Sequence, residues 1–203
     1  YDRPITLDVD NDGKVNQIFV KPGVVDKEVF NHAYGSILIK KDILMSEIRN
    51  AISVNQLDVK RLLQSSLGKY SIYAYENKGY CAAISSINDY FEFNMDLMKK
   101  EVRDELFNPQ RPIYTKVRDD APSRYGLTSN VKNSIIAQGC VINGEVGNCV
   151  ISKGVYVGEG AKLSNCIVMQ DTKIGCNTNL NYVIIDKDVT IKDGRSLMGY
   201  DSY

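Results

Sequence analysis

From about Val131 to its end, the chain repeats a pattern in which a bulky aliphatic residue follows, two places on, a small or β-branched one. The aliphatic positions are Ile136, Ile142, Ile151, Val157, Leu163, Val168, Ile174, Leu180, Ile185 and Ile191. The residues two before them are Ser134, Cys140, Cys149, Val155, Ala161, Cys166, Thr172, Thr178, Val183 and Val189. Residues i and i−2 of a strand share a face, so both members of each pair point the same way. Whole coils also recur: Ile151, Val168 and Ile185 lie 17 apart, as do Val157, Ile174 and Ile191, and Val146, Leu163 and Leu180. A triangular coil with narrow corners has this requirement, since one inward position can be large only where its neighbour is small. Glycines at 139, 144, 154, 158, 160 and 175 suit the turns between faces. A helix would not keep this register and would be weakened by the glycines, and hairpin signals at the spacing of an antiparallel sheet are missing. Self-similarity at a fixed period is the mark of a solenoid. The pattern predicts a left-handed parallel β-helix of hexapeptide repeats over residues 131–203.

Ahead of it, residues 1–108 carry a mixed α/β pattern. A strand at Ile5–Val9 meets a second at Val15–Val20 across Asp10-Asn11-Asp12-Gly13, a hairpin signal. A third strand is expected at Tyr34–Ile39, a helix capped by Asp42 through about Ile52, a shorter helix at Val59–Leu67 and a strand at Tyr70–Tyr75. Apolar residues at 87, 91, 95, 98, 102 and 106 predict one helix from Ile87 to Phe107. At that spacing Tyr90, Phe91, Phe93 and Met95 read as packing residues rather than an aromatic cofactor box. Residues 109–130, with Pro112 and Pro122 inside Arg111–Tyr125, read as an extended linker.

Composition narrows the function. Lys plus Arg equals Asp plus Glu at 25 each, which argues against nucleic acid or a membrane surface as partner, both of which favour a basic excess. No apolar run approaches the ~20 residues of a membrane span. Five cysteines without paired metal spacing point to a reducing cytoplasm. Cys140, Cys149 and Cys166 fall on small inward positions, where a thiol acts as a compact hydrophobe, and Cys176 falls in a turn. His32 is the single histidine, so neither a histidine metal cluster nor the coil histidine that serves as general base in β-helix acyltransferases can be assembled from this chain. The opening Tyr1-Asp2-Arg3-Pro4 runs almost at once into a strand pattern, without initiator Met or secretory features, and reads as an internal cut in a longer protein.

Four motifs in order resemble the ADP-glucose pyrophosphorylase (glucose-1-phosphate adenylyltransferase) family. They are Asn11-Asp12-Gly13-Lys14-Val15 leading to Phe19-Val20-Lys21-Pro22, Ala33-Tyr34-Gly35-Ser36-Ile37 followed by Lys41-Asp42 and Leu44, Gly79-Tyr80 through Asn94-Met95-Asp96-Leu97, and Arg118-Asp119-Asp120-Ala121-Pro122 ahead of the coils with Ile184-Ile185-Asp186-Lys187. The resemblance covers essentially the whole chain. It implies the C-terminal part of a Rossmann-like nucleotidyltransferase α/β domain followed by the β-helix.

The departures from that family carry the functional expectation. The family's sugar-phosphate-contacting Glu-Lys pair becomes Val20-Lys21, which leaves Lys21 as the one substrate contact. A sugar-contacting Ser becomes Ala33. The Asp implied to hold the catalytic Mg²⁺ falls at Ala83, and a methyl group offers no hard oxygen donor. With Val20, Ala33 and Ala83 degenerate, the chain is similar to the GlgD-type subunit, which the resemblance implies is a largely non-catalytic regulatory partner of the catalytic subunit in a cytoplasmic hetero-tetramer making ADP-glucose for bacterial glycogen. No metal or cofactor is expected in this region itself, although Mg²⁺ serves the family reaction. Lys187 matches a lysine that resembles an effector-anion contact. The alternative is an active sugar-1-phosphate nucleotidyltransferase when the chain is full length.

Overall fold

The computed structural model describes residues 5–19, 31–55, 58–115 and 119–200. The chain divides into two compact units, Tyr1–Lys78 and Gly79–Tyr203. Among the described residues, no helix is long and apolar enough to cross a membrane.

The first unit is a small sheet with two helices. Strand β1 (Ile5–Val9) pairs antiparallel with β2 (Val15–Phe19) and with β3 (Asn31–Ala33) in the order β2-β1-β3. The turn forms as the sequence predicts. The Asp10 carboxylate accepts from the amides of Asp12 and Lys14 at 3.0 and 2.8 Å, while Gly13 takes φ +81, a conformation that is inexpensive only for glycine. Ile5, Val15 and Ile18 form the buried core here. Helices α1 (Lys41–Ser53) and α2 (Val59–Ser66) follow.

Three expectations need correction in this unit. The third strand ends at Ala33 instead of occupying Tyr34–Ile39, because Gly35 turns the chain with φ +78. Residues 70–75 form no strand. They contribute a single bridge, Lys14 to Tyr73, with Val15 N donating to Ile72 O at 2.8 Å. Asp42 does not cap α1. The N-cap is Lys40, without a side-chain bond, and Asp42 lies in the first turn, where its charge still complements the helix dipole.

In the second unit the expected single helix is two, α3 (Ile87–Asp96) and α4 (Lys100–Leu106). The Arg103 guanidinium reaches back and donates to the carbonyls of Leu97 and Met98 at 2.7 and 2.6 Å. It thereby satisfies acceptors that the end of α3 would leave bare. Tyr90, Phe91, Phe93 and Met95 are half-buried rather than fully enclosed.

The β-helix is the dominant structure, and its parallel pairing begins earlier than Val131, at Arg124. One face stacks Arg124–Tyr125, Val141–Ile142, Tyr156–Val157, Lys173–Ile174 and Thr190–Ile191. A second stacks Asn130–Lys132, Glu145–Gly147, Lys162–Ser164, Asn179–Asn181 and Ser196–Met198. A third stacks Ile135–Ile136, Val150–Ile151, Ile167–Val168 and Ile184–Ile185. All neighbours are parallel, with Tyr156 opposite Lys173 and Ile167 opposite Ile184. Each rung hydrogen-bonds to the next, as in Tyr156 N to Thr172 O at 3.0 Å and Lys173 N to Val189 O at 2.8 Å.

The predicted inward residues fill the interior. Ile142, Val157, Ile174, Val168 and Leu180 are wholly enclosed, as are the small partners Cys149, Val155, Ala161 and Cys166. Two buried hydroxyls find carbonyls, Thr172 to Asp186 O at 2.8 Å and Thr178 to Gly175 O at 3.1 Å, as buried polar groups must. Three stacked corners carry left-handed backbone: Asn133, Asn148, Asn165 and Tyr182; Gly139, Gly154, Asp171 and Asp188; Gly160, Asn177 and Gly194. Of the other glycines expected at turns, 144, 158 and 175 do not take positive φ. They sit where backbone of the next coil passes too close for a side chain.

One feature of the third face escapes the coil pattern. Its outward residues, Ile135, Val150, Ile167 and Ile184, are aliphatic too. A strand that is apolar on both sides suits burial on both sides, and here Ile135, Val150 and Ile184 are half-buried. Ile167 is 2% exposed, and at the adjoining corner the Phe91 ring of α3 lies 5.9 Å from that of Tyr182.

Candidate functional site

The segment with the most telling sequence departure, residues 79–86 around Ala83, is held at both ends. At its start, the Tyr80 amide donates to Glu105 Oε1 at 2.7 Å, and the Tyr80 hydroxyl donates to Asp96 Oδ2 at 3.1 Å. At its end, Ser86 and Asp89 form a capping box on α3. Asp89 Oδ2 accepts from the Ser85 amide and hydroxyl at 2.9 and 2.6 Å and from the Ser86 amide at 2.9 Å, while Asp89 N donates to Ser86 Oγ at 3.0 Å. Ala83 lies between these anchors and is exposed.

Electrostatics follow the contacts. The Lys99 ammonium, 2.7 Å from Asp96 Oδ1, and then the Tyr80 hydroxyl hold the Asp96 carboxyl below its usual range. Asp96 in turn raises Lys99. Desolvation first, and Asp96 second, push the Tyr80 phenol up. The Ser85 hydroxyl and amide lead in depressing Asp89.

These contacts bear on the family's Mg²⁺. Every carboxylate between residues 79 and 96 already has a partner: Asp89 the two serines, Glu92 the Asn88 amide at 3.2 Å, and Asp96 Tyr80 and Lys99. Ala83 supplies a methyl group. A divalent ion of that kind wants several hard oxygens in near-ideal geometry, and this donor set does not fit one.

The remaining sequence-selected residues are dispersed. Ala33 ends β3 opposite Ile5 in the first unit. Val20 and Lys21 lie outside the described residues. Lys187 is exposed on a coil corner, its amide donating to Asp186 Oδ1 at 2.8 Å. The corner below it places Gln170, Lys153 and Gln138 at successive levels, linked through Asp188 N to Gln170 O at 3.0 Å, Asp171 N to Lys153 O at 2.9 Å and Gly154 N to Gln138 O at 3.2 Å. Two lysines thus share one edge. Three thiols of the coils, Cys140, Cys149 and Cys166, are buried in the interior. Burial raises Cys140, and Cys149 is raised by its hydrogen-bonded neighbour Cys166 and by burial. Cys176 lies half-buried in its turn.

Sequence reasoning named Tyr80 and Asp96 only as members of a motif, without a contact between them, and passed over Asp89 and Lys99. Asp89 had a legible signal, the Ser86-x-x-Asp89 spacing of a capping box. The Tyr80–Asp96 bond joins residues 16 apart, with nothing local to announce it.

A second polar cluster lies in the first unit. Glu47 of α1 is 4% exposed and accepts from Lys69 Nζ at 3.2 Å and from the Tyr70 hydroxyl at 3.0 Å. Lys69 first and Tyr70 second keep its carboxyl below the ordinary value. A depressed carboxyl stabilises the fold above its unfolded pKa of about 4.3, and that contribution disappears as pH falls through the folded value. Glu47→Gln should therefore be less stable than the natural chain at pH 7, with the gap narrowing as the pH falls below about 4. Hydrogen exchange of α1 amides across that range measures it, and parallel curves at all pH values would remove the clamp from the account.

Residues 116–203 match the GlmU-like C-terminal hexapeptide family. Over 133 residues the chain is 50% identical to "Glycogen biosynthesis protein GlgD" of Bacillus subtilis, which covers 66% of this chain and 39% of that protein. It is 44% identical to the protein of the same description from Geobacillus stearothermophilus, over 49% of this chain and 36% of the relative. It is 39% identical to "Glucose-1-phosphate adenylyltransferase" of Clostridioides difficile, over 52% of this chain and 26% of the relative. The matched region thus spans well under half the length of each of these relatives.

Proposed function

We propose, from the premise that this chain is a homologue of GlgD proteins and glucose-1-phosphate adenylyltransferases, that the whole protein serves cytoplasmic glycogen synthesis as a largely non-catalytic subunit beside a catalytic adenylyltransferase. The observation that carries the reading is Ala83: a tightly held loop presents a methyl group at the position matched to the family's metal carboxylate. Transfer of a nucleotidyl group between phosphates needs charge on those oxygens offset in the transition state, and this loop has no donor to spare for it. A scaffold that keeps its fold while losing such a group retains its surfaces for a partner. On this reading Lys21 keeps a residual phosphate contact, and Lys187, with Lys153 on the same edge, is the place to look for an effector anion.

The test uses the full-length protein. Pyrophosphate exchange with glucose-1-phosphate and ATP should stay at background for the isolated protein. Mixed with a catalytic adenylyltransferase from the same cell, it should co-elute in a single larger complex, a hetero-tetramer, and raise the rate several-fold. Robust exchange by the isolated protein would replace this reading with that of an active nucleotidyltransferase, and two chains that always elute separately would end it.

A further inference from the structure

We propose that Tyr182 is a latch fastening α3, and through it the loop carrying Ala83, to the β-helix. In the corner stack Asn133, Asn148, Asn165 and Tyr182, the backbone is left-handed at every level, with φ of 43, 52, 51 and 52°. Asparagine suits this conformation, whereas a bulky side chain there is an outlier. Asn133 bonds along the stack, its Nδ2 donating to Asn148 Oδ1 at 2.7 Å, whereas Asn165 Nδ2 donates at 3.2 Å to Asn181 Oδ1, the residue just before Tyr182. Tyrosine at the fourth level accepts a backbone strained for its kind, while the adjacent Asn181 supplies the amide contact within the coil.

The gain lies outside it. The Tyr182 ring stands 5.9 Å from that of Phe91 and is tilted by 39°, a separation at which aromatic rings attract. Beside this contact Ile87 and Asn88 of α3 face Val183, Ile184 and Leu197 of the coils across an open groove. Phe91 lies one turn beyond Ile87, and the first turn of the same helix is fixed by Ser86 and Asp89, which hold residues 85 and 86. The contacts therefore run from a coil corner to a ring, a helix and a loop. A residue that breaks its local rule while serving a contact elsewhere is kept for that contact.

Hydrogen exchange on the complete chain tests this, read by mass spectrometry together with the rate at which Cys81, half-buried in the loop, reacts with a thiol reagent. In Tyr182→Asn, exchange across 87–96 and labelling of Cys81 should each accelerate about tenfold or more. The coil strands at 167–168 and 184–185 should exchange no faster than before, and the thermal midpoint should hold or rise by about 2–4 °C as strain is relieved. Phe91→Ala, which leaves the coil untouched, should loosen the same helix and loop without raising the midpoint. Unchanged exchange of α3 in either variant would overturn the proposal, as would coils in Tyr182→Asn that loosen as much as the helix does.

Discussion

Alanine at Leu163 is expected to cost the second unit roughly 3–5 kcal/mol. Leu163 is 1% exposed and stacks in register between Val146 and Leu180. The usual relief for a truncated core residue is collapse of its surroundings. Here the rungs on both sides are pinned, by Lys162 N to Thr178 O and Glu145 N to Ala161 O, each at 2.8 Å, so the cavity stays open. Leu197 occupies the last level of the same stack but is 41% exposed. Leu197→Ala removes the same atoms, yet should cost under about 2 kcal/mol, since less apolar area returns to water. A solenoid's stability is close to a sum over neighbouring levels, so a defect at Leu163, packed between Val146 and Leu180, weakens two interfaces. Urea denaturation with unchanged slopes measures both. Equal losses would mean that the last coil is enclosed as fully as the middle, contrary to its exposure.

The asymmetry between Leu163 and Leu197 also marks what the sequence could and could not convey. Each coil announces itself because its constraint is local: a small residue two before a large one, at a period a reader can count. Ile151, Val168 and Ile185 had to point inward once that period was seen, and they do. The corners were legible only in part: of the glycines expected at turns, 139, 154 and 160 take left-handed backbone, whereas the asparagines at 133, 148 and 165 that do the same were not singled out. What failed was everything decided at longer range. The break between α3 and α4 depends on Arg103 reaching back to Leu97 and Met98, which an unbroken apolar stripe does not foretell. The missing strand at 34–39 turned on one glycine conformation. The outward aliphatic stripe of the third face was in plain view as Ile135, Val150, Ile167 and Ile184, but an inward-only template treats the neighbouring position as solvent. For the candidate site, Ala83 could be singled out only by resemblance, because a methyl group carries no chemistry of its own. The carboxylates around it took their roles from the fold.

Gly158→Ala should destabilise the β-helix by about 1–3 kcal/mol or more, although it adds one methyl group at a position of ordinary φ. A Cβ at Gly158 would lie 2.7 Å from Cys176 N, 2.8 Å from the Gly175 carbonyl carbon and 3.0 Å from Cys176 Cα. These are backbone atoms of the next coil, and Gly158 N itself donates across that gap to Ile174 O at 2.9 Å. Neither side can yield without lengthening the ladder that sets the coil spacing. The methyl group therefore meets the least deformable part of the structure. Gly147 supplies the contrast, since it sits in a rung of the same helix with nothing within 4 Å of an added Cβ. Alanine there restricts only the unfolded chain and should stabilise by up to about 0.4–1 kcal/mol. The two substitutions are chemically identical, and only the distance to the neighbouring backbone separates them. Thermal or urea unfolding should give opposite signs. A shared sign would show that the coil spacing is elastic enough to absorb a methyl group, and the rigidity assumed for Leu163 would fail with it.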